Sequence, residues 1–361
     1  MTKATRVTRD LVMRFSMVLL TASPLVAWAD DITFKDQRGK LITLEHPAQR
    51  VVVLPKPIAS MFIAIDGGTQ HLSGIHPAAQ AVITKSVLGT IFPEVARINT
   101  NVVREGFIPN VEEMLKVDPE VVIQWALKVE DYIEPLERVG LTVVGLGYGT
   151  NEIERERVAI IGKIVNQEER ANSLLAWQDS VRRDIEDRLS SIPLDRRSRM
   201  IFLDRFSRDG LSVFGRDEFF FQAAGVRNVA FEAGLNQPSV AVNEEQLLAW
   251  DPDIVFINYY DEEAKPDDLY DNLVLAGLSA VKARRVYKTP RLDPASHEAP
   301  LVWMWMTTLA YPELYRWDVR KSIREKYVAL YGKSPSEPDL DSIIQMPVNG
   351  RSKYYYEMFY K

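Results

Sequence analysis

Short, unbroken apolar runs recur along the chain at 50–54, 72–75, 120–125, 141–147, 199–203, 253–258 and 285–289. They are rich in Val, Ile, Leu and aromatic residues. Because they do not alternate with polar positions, each predicts a strand buried on both faces. Between them apolar residues return every three or four positions, which predicts covering helices. Strands alternating with helices in this way predict mainly parallel sheets in an α/β fold.

The strand signal stops from Asn151 to about Ser191. There Leu174, Leu175, Val181, Ile185 and Leu189 fall at helical spacing, and Pro193 ends the pattern. One long helix is predicted, with its 166–192 portion connecting two groups of strands. The organisation read from this is a lobe over 30–165, a second lobe over 193–317, and a helical extension over 318–361. The extension ends in the Tyr-rich stretch SKYYYEMFYK. A helical connector resists the hinge bending that a strand crossover allows.

The two groups of strands share a unit. NVEEMLKVDPEVVI begins at Asn110, and NEEQLLAWDPDIVF begins at Asn243. Both start with an N-cap Asn and place an acid, Glu112 or Glu245, in the first turn, where a carboxylate meets the positive end of the helix dipole. Both then reach Asp-Pro, which ends the helix ahead of a buried strand. The match reads as duplication of a whole lobe.

Residues 1–29 carry Lys3, Arg6, Arg9 and Arg14, then an apolar run closing on Ala27-Trp28-Ala29. That is the pattern of a secretory signal peptide, so the expectation is an exported protein. The whole chain has a formal charge of −6, so without this basic leader it stands near −9. That charge argues against nucleic acid or an anionic membrane surface as its partner. Cysteine is absent, which excludes thiolate catalysis and Cys-based metal sites.

Ligands of parallel α/β sheets bind beyond the carboxyl ends of the strands. Lys56, His76, Trp125 and Tyr148 follow strands of the first group. Arg205, Arg208, Arg216, Tyr259, Tyr260, Arg291 and His297 follow those of the second. This inventory is cationic and aromatic, and it predicts a cleft for an anionic ligand with a bulky or planar body. If extended, Tyr259 and Tyr260 point to opposite faces, so at most one of them faces the ligand. The four histidines lack the spacing of a metal-binding helix, GLGYG lacks the full phosphate-loop pattern, and no nucleophile–base constellation stands out. The chain is read as a binding protein, not an enzyme, with no resident cofactor or metal.

The paired units, the single connecting helix and LDPASHEAPLVWMW (292–305) resemble ABC-importer substrate-binding proteins of the iron–siderophore, haem and vitamin B12 class. The resemblance implies two α/β lobes bridged by one helix, closing slightly on the ligand. It implies that Glu112 and Glu245 dock on basic pockets of the membrane permease, which works with its ATPase. It places Trp125 where vitamin B12-binding members contact ligand. The expectation is therefore a monomeric periplasmic receptor, peripheral to the membrane, for a small anionic metal chelate, most of all a ferric siderophore. The alternatives are a molybdate or tungstate oxyanion, haem or a corrinoid. An exported enzyme or a sensor on the same plan ranks below these.

Overall fold

The computed structural model describes residues 31–147, 149–207, 210–216, 218–294, 296–314 and 317–360. The 1–29 leader, Tyr148 and Arg208 lie outside the described residues. All seven predicted strands form. Those of the first lobe are β3 (Val51–Val53), β4 (Leu72–Ile75), β5 (Val121–Trp125) and β6 (Val143–Leu146). They make a parallel sheet in the order β4-β3-β5-β6, with Val53 level with Ile123 and Ile123 level with Val144. β3, β5 and β6 are buried at every position, as sheets covered on both faces require.

An unpredicted hairpin precedes this sheet, β1 (Ile32–Lys35) paired antiparallel with β2 (Leu41–Leu44). Phe34, Ile42 and Leu44 are its buried residues. Its turn covers the open edge of β6: Gln37 N–H donates to Gly145 O at 3.1 Å, and Asp36 accepts from Gly145 N–H at 2.9 Å. An uncovered edge strand invites pairing with other chains, and this turn removes it.

The second lobe has a parallel core of β7 (Arg199–Ser207), β11 (Ile254–Ile257) and β12 (Val286–Lys288). β8 (Gly210–Val213) and β10 (Val240–Val242) extend it antiparallel, and the short β9 (Arg227–Asn228) pairs with the start of β7. The repeated unit recurs in detail. The helices Val111–Val117 and Glu244–Trp250 each end at an aspartate in the left-handed region, Asp118 at φ 50° and Asp251 at φ 40°. Their starts differ: Asn243 forms a capping box with Gln246, whereas Asn110 holds the cap position without a side-chain bond.

The long predicted helix is two helices, Asn151–Ile164 and Glu168–Leu189. The break falls at Asn166, whose φ of 53° a continuous helix excludes. Gly162 lets the two pack closely there, since a Cβ on it would lie 2.7 Å from that of Ala171. The second helix buries Ala171, Leu174, Gln178, Val181, Ile185 and Leu189 and turns the opposite face outward. Beyond it the Ala299–Ala310 helix is buried at every residue, and the extension packs around it. Trp305 donates its indole N–H to the Tyr355 hydroxyl at 3.0 Å, so the Tyr-rich end is docked. One continuous apolar core runs from Val51 in the first sheet through these helices to Met200 and Phe202 in the second.

Candidate functional site

The strand ends carry the predicted residues into several separate places. On the first lobe, Lys56 opens the Lys56–Asp66 helix directly after β3 and is exposed, its ammonium 5.5 Å from the centre of the Phe107 ring. His76 caps the Pro77–Lys85 helix: its Nδ1 accepts from Ala78 N–H at 3.0 Å, and its Nε2–H donates to Gly106 O at 2.8 Å. Both ring nitrogens are therefore engaged. Burial holds the imidazole below its ordinary pKa, and the charge of Lys56 acts in the same direction. Phe107 also meets Tyr132, with ring centres 6.0 Å apart. Lys56, His76, Phe107 and Tyr132 thus form one cationic and aromatic patch.

Trp125 ends β5 almost wholly buried, with the guanidinium of Arg157 5.2 Å from its ring centre. Arg157 is itself buried and forms a bidentate pair with Glu154 at 2.5 and 2.6 Å, while its Nε–H donates to Gly147 O. Sequence reading missed Glu154. Burial pushes its carboxyl up to about 7 against the pull of Arg157, with Asp293 and Glu218 of the second lobe adding to the rise. Those two acids lie within electrostatic reach of Glu154 across the seam between the lobes.

On the second lobe Arg205 is exposed on β7, level with Ser212 of β8. Tyr259 and Tyr260 do not point to opposite faces. The chain turns after Asn258, and their rings stack with centres 4.1 Å apart. Tyr259 is the more enclosed, and burial, then Asp293, raises its hydroxyl pKa well above the ordinary value. Arg291 is exposed. His297 has no exposed surface. It lies inside the junction of the lobe with the extension, its Nε2 2.7 Å from the Tyr331 hydroxyl, and burial pushes it down to about 3.

Arg216 is the member of the predicted set that lines a cavity of about 560 Å³. One wall is the start of the Asn151–Ile164 helix, with Thr150, Glu152 and Arg155. Another is the connecting helix, with Asp179, Arg182 and Glu186 of its outward face beside the buried Gln178. Phe219, Phe231 and Trp303 supply apolar surface from the second lobe. A narrow recess lined by Glu154, Gln178, Ser296 and Trp303 lies next to it.

The sequence predicts free guanidiniums awaiting an anion, and the cavity differs. Arg155 grips Asp179 with two bonds of 2.8 and 3.0 Å, and Arg216 pairs with Glu218 at 2.7 Å. Arg182 stands 4.0 Å from Asp179 and 3.9 Å from Glu186. Each arginine in the wall already faces a carboxylate from a nearby turn of helix or loop.

Glu112 and Glu245 sit on equivalent outer positions of the duplicated unit, each second in its helix and exposed. Lys116 reaches Glu112 at 3.1 Å.

The periplasmic binding protein family model matches residues 59–291. A periplasmic solute-binding protein of Veillonella parvula shares the fold with a TM-score of 0.79 at 25% identity, over 88% of this chain and 98% of that one. The molybdate-bound periplasmic binding protein of a Haemophilus influenzae ABC transporter superposes with a TM-score of 0.72 at 20% identity, over 84% and 99% of the two chains. The iron-uptake system-binding protein of Bacillus subtilis is 22% identical over 192 residues, which span 51% of this chain and 59% of that relative. With two α/β lobes flanking a helix and a family match over most of its length, this chain belongs to the periplasmic binding protein family.

Proposed function

We propose that the protein captures a metal chelate, a ferric siderophore, in the cavity between its lobes and delivers it to the permease of an ABC importer. The cavity itself carries this reading. It is lined from both lobes and the connecting helix, and at about 560 Å³ it falls within the range of about 300–1,000 Å³ usual for small-molecule pockets. A lone tetrahedral oxyanion would leave most of that space unfilled. Haem would call for an axial ligand, and none of the described lining residues is Tyr or His. The Bacillus relative, named for iron uptake, supports the same choice. The basic leader and apolar run at the start of the sequence support export to the periplasm.

Trp303 lines the cavity, so its emission reports occupancy. The purified protein is titrated with ferric hydroxamate and catecholate chelates, haem, cobalamin and molybdate. Saturable quenching by a ferric chelate is the expected result, and silence toward every ferric chelate refutes the proposal.

A further inference from the structure

We infer that the cavity between the lobes selects a chelate of neutral or positive charge that presents hydrogen-bond donors, and disfavours polyanionic ones. This rests on the reading of the protein as a chelate receptor and adds the ligand's charge to it.

The first ground is the balance of charge. Among the described lining residues three guanidiniums, of Arg155, Arg182 and Arg216, face four carboxylates, of Glu152, Asp179, Glu186 and Glu218. The second is that the cations are already engaged. Arg155 is held by both oxygens of Asp179 and Arg216 by Glu218, so an anionic guest must break a formed ion pair or sit beside its carboxylate. Like-charge juxtaposition in a binding site is strongly unfavourable.

The third ground is the helix start that opens onto the cavity. Such an end attracts anions, but here the chain supplies its own. Thr150 Oγ1 accepts from Ile153 N–H, and Glu152 stands in the first turn bonded to the Thr150 hydroxyl. The fourth lies deeper, where Glu154 lines the adjoining recess while its partner Arg157, outside that lining, sits over the Trp125 ring. Asp293 and Glu218 lie close enough for their charges to act on Glu154. Carboxylate oxygens with lone pairs to offer therefore line the cavity on both lobes. A guest bearing N–H or O–H groups, or a net positive charge, satisfies them without breaking a pair.

The test uses the full-length mature protein and two ferric chelates of similar size. One is a trihydroxamate carrying a free ammonium, singly positive; the other is a tris-catecholate, triply negative. Tryptophan quenching gives both dissociation constants at low and at high salt. The positive chelate is expected to bind at least about tenfold more tightly, with the gap narrowing as salt screens the field. Glu218→Gln, which releases Arg216, is expected to shrink the preference several-fold, and the exposed Glu152→Gln to do so more weakly. Equal or tighter binding of the tris-catecholate by the parent protein overturns the inference and leaves the receptor reading intact. Binding of neither chelate, or of molybdate alone, overturns both.

Discussion

The ammonium of Lys333, in the C-terminal extension, lies 3.0 Å from the carbonyl oxygen of Ile91 in the first lobe. It is one of several ties. Arg170 of the connecting helix donates to Ala64 O, Ile65 O and Leu330 O, which joins the first lobe to the extension. Tyr331 packs edge-on to Phe92 of the first lobe while its hydroxyl meets His297 of the second. The lobes are thus bridged twice, by the connecting helix and by the Val319–Tyr331 helix, and the second bridge further restrains opening.

Tyr331→Phe tests this brace. The variant keeps the ring but leaves Nε2 of the buried His297 without its partner, and it removes one bond to Glu298. A loss of about 1–3 kcal/mol is expected from a buried polar group left unsatisfied. Urea unfolding measures it. Faster amide exchange along the Val319–Tyr331 helix should accompany the loss, and unchanged exchange there argues against a brace.

His297 and Glu298 are neighbours that titrate in opposite senses. Burial pushes Glu298 up to about 7 from an ordinary 4.5, while hydrogen bonds from Tyr327 and Tyr331 resist the rise. Between those values the folded state holds the proton and the unfolded state does not, so stability falls as pH rises. Burial pushes His297 down to about 3 from 6.5, so across its window the unfolded state binds more protons and stability rises with pH. The two slopes oppose each other where the windows overlap, from 4.5 to 6.5. Glu298→Gln leaves the histidine slope alone. Stability should then climb with pH across that overlap more steeply than in the parent, by up to about 1.4 kcal/mol per pH unit. Melting temperatures taken at half-unit pH steps provide the comparison.

The parallel core was legible because continuous apolar runs admit few readings. The hairpin β1–β2 was not, because its strands are four residues long and mix buried with exposed positions, ITFK and LITL. β8 and β10 escaped for the same reason, being mostly half-exposed. The break at Asn166 left a signal in the Asn-Gln pair ahead of Glu168 and Glu169, acids at the start of a fresh helix. The cavity was half legible. Arg216 stood among the cationic candidates of the second lobe, but pairing that depends on the fold, such as Arg155 with Asp179, has no signature in a charged helical sequence. His297 shows the converse limit, since position after a strand does not tell a cleft residue from an interior one.

Arg157 offers a further test. It joins Trp125, Gly147 and Glu154, and it is nearly inaccessible. Arg157→Leu removes the cation above Trp125 and leaves Glu154 as a buried carboxyl without its counter-charge. Breaking a buried pair from one side costs about 3–5 kcal/mol. The double variant Arg157→Leu with Glu154→Leu should recover part of that loss, because no lone charge stays buried. Chemical denaturation of the two variants makes the comparison, and equal losses would show that the pair is not the source of the effect.

Delivery to a permease places separate demands on the outer surface. Glu112 and Glu245 occupy equivalent positions on the duplicated helices, one on each lobe, and both are exposed. Neither lines the cavity, so their charge is available to a partner without affecting the ligand. The pairing of Glu112 with Lys116 is a solvent-exposed contact, weak enough to be exchanged for a cation on the permease. Glu112→Ala with Glu245→Ala should change folding stability by only about 0.5 kcal/mol per site and leave the dissociation constant for the chelate as it was. Uptake of radiolabelled ferric chelate by cells relying on this protein should fall to background. Each single variant should fall part of the way, because losing one of two separated contacts weakens docking without abolishing it. Undiminished uptake by the double variant would remove these glutamates from the docking surface, and a weakened affinity for the chelate would assign them to ligand binding instead.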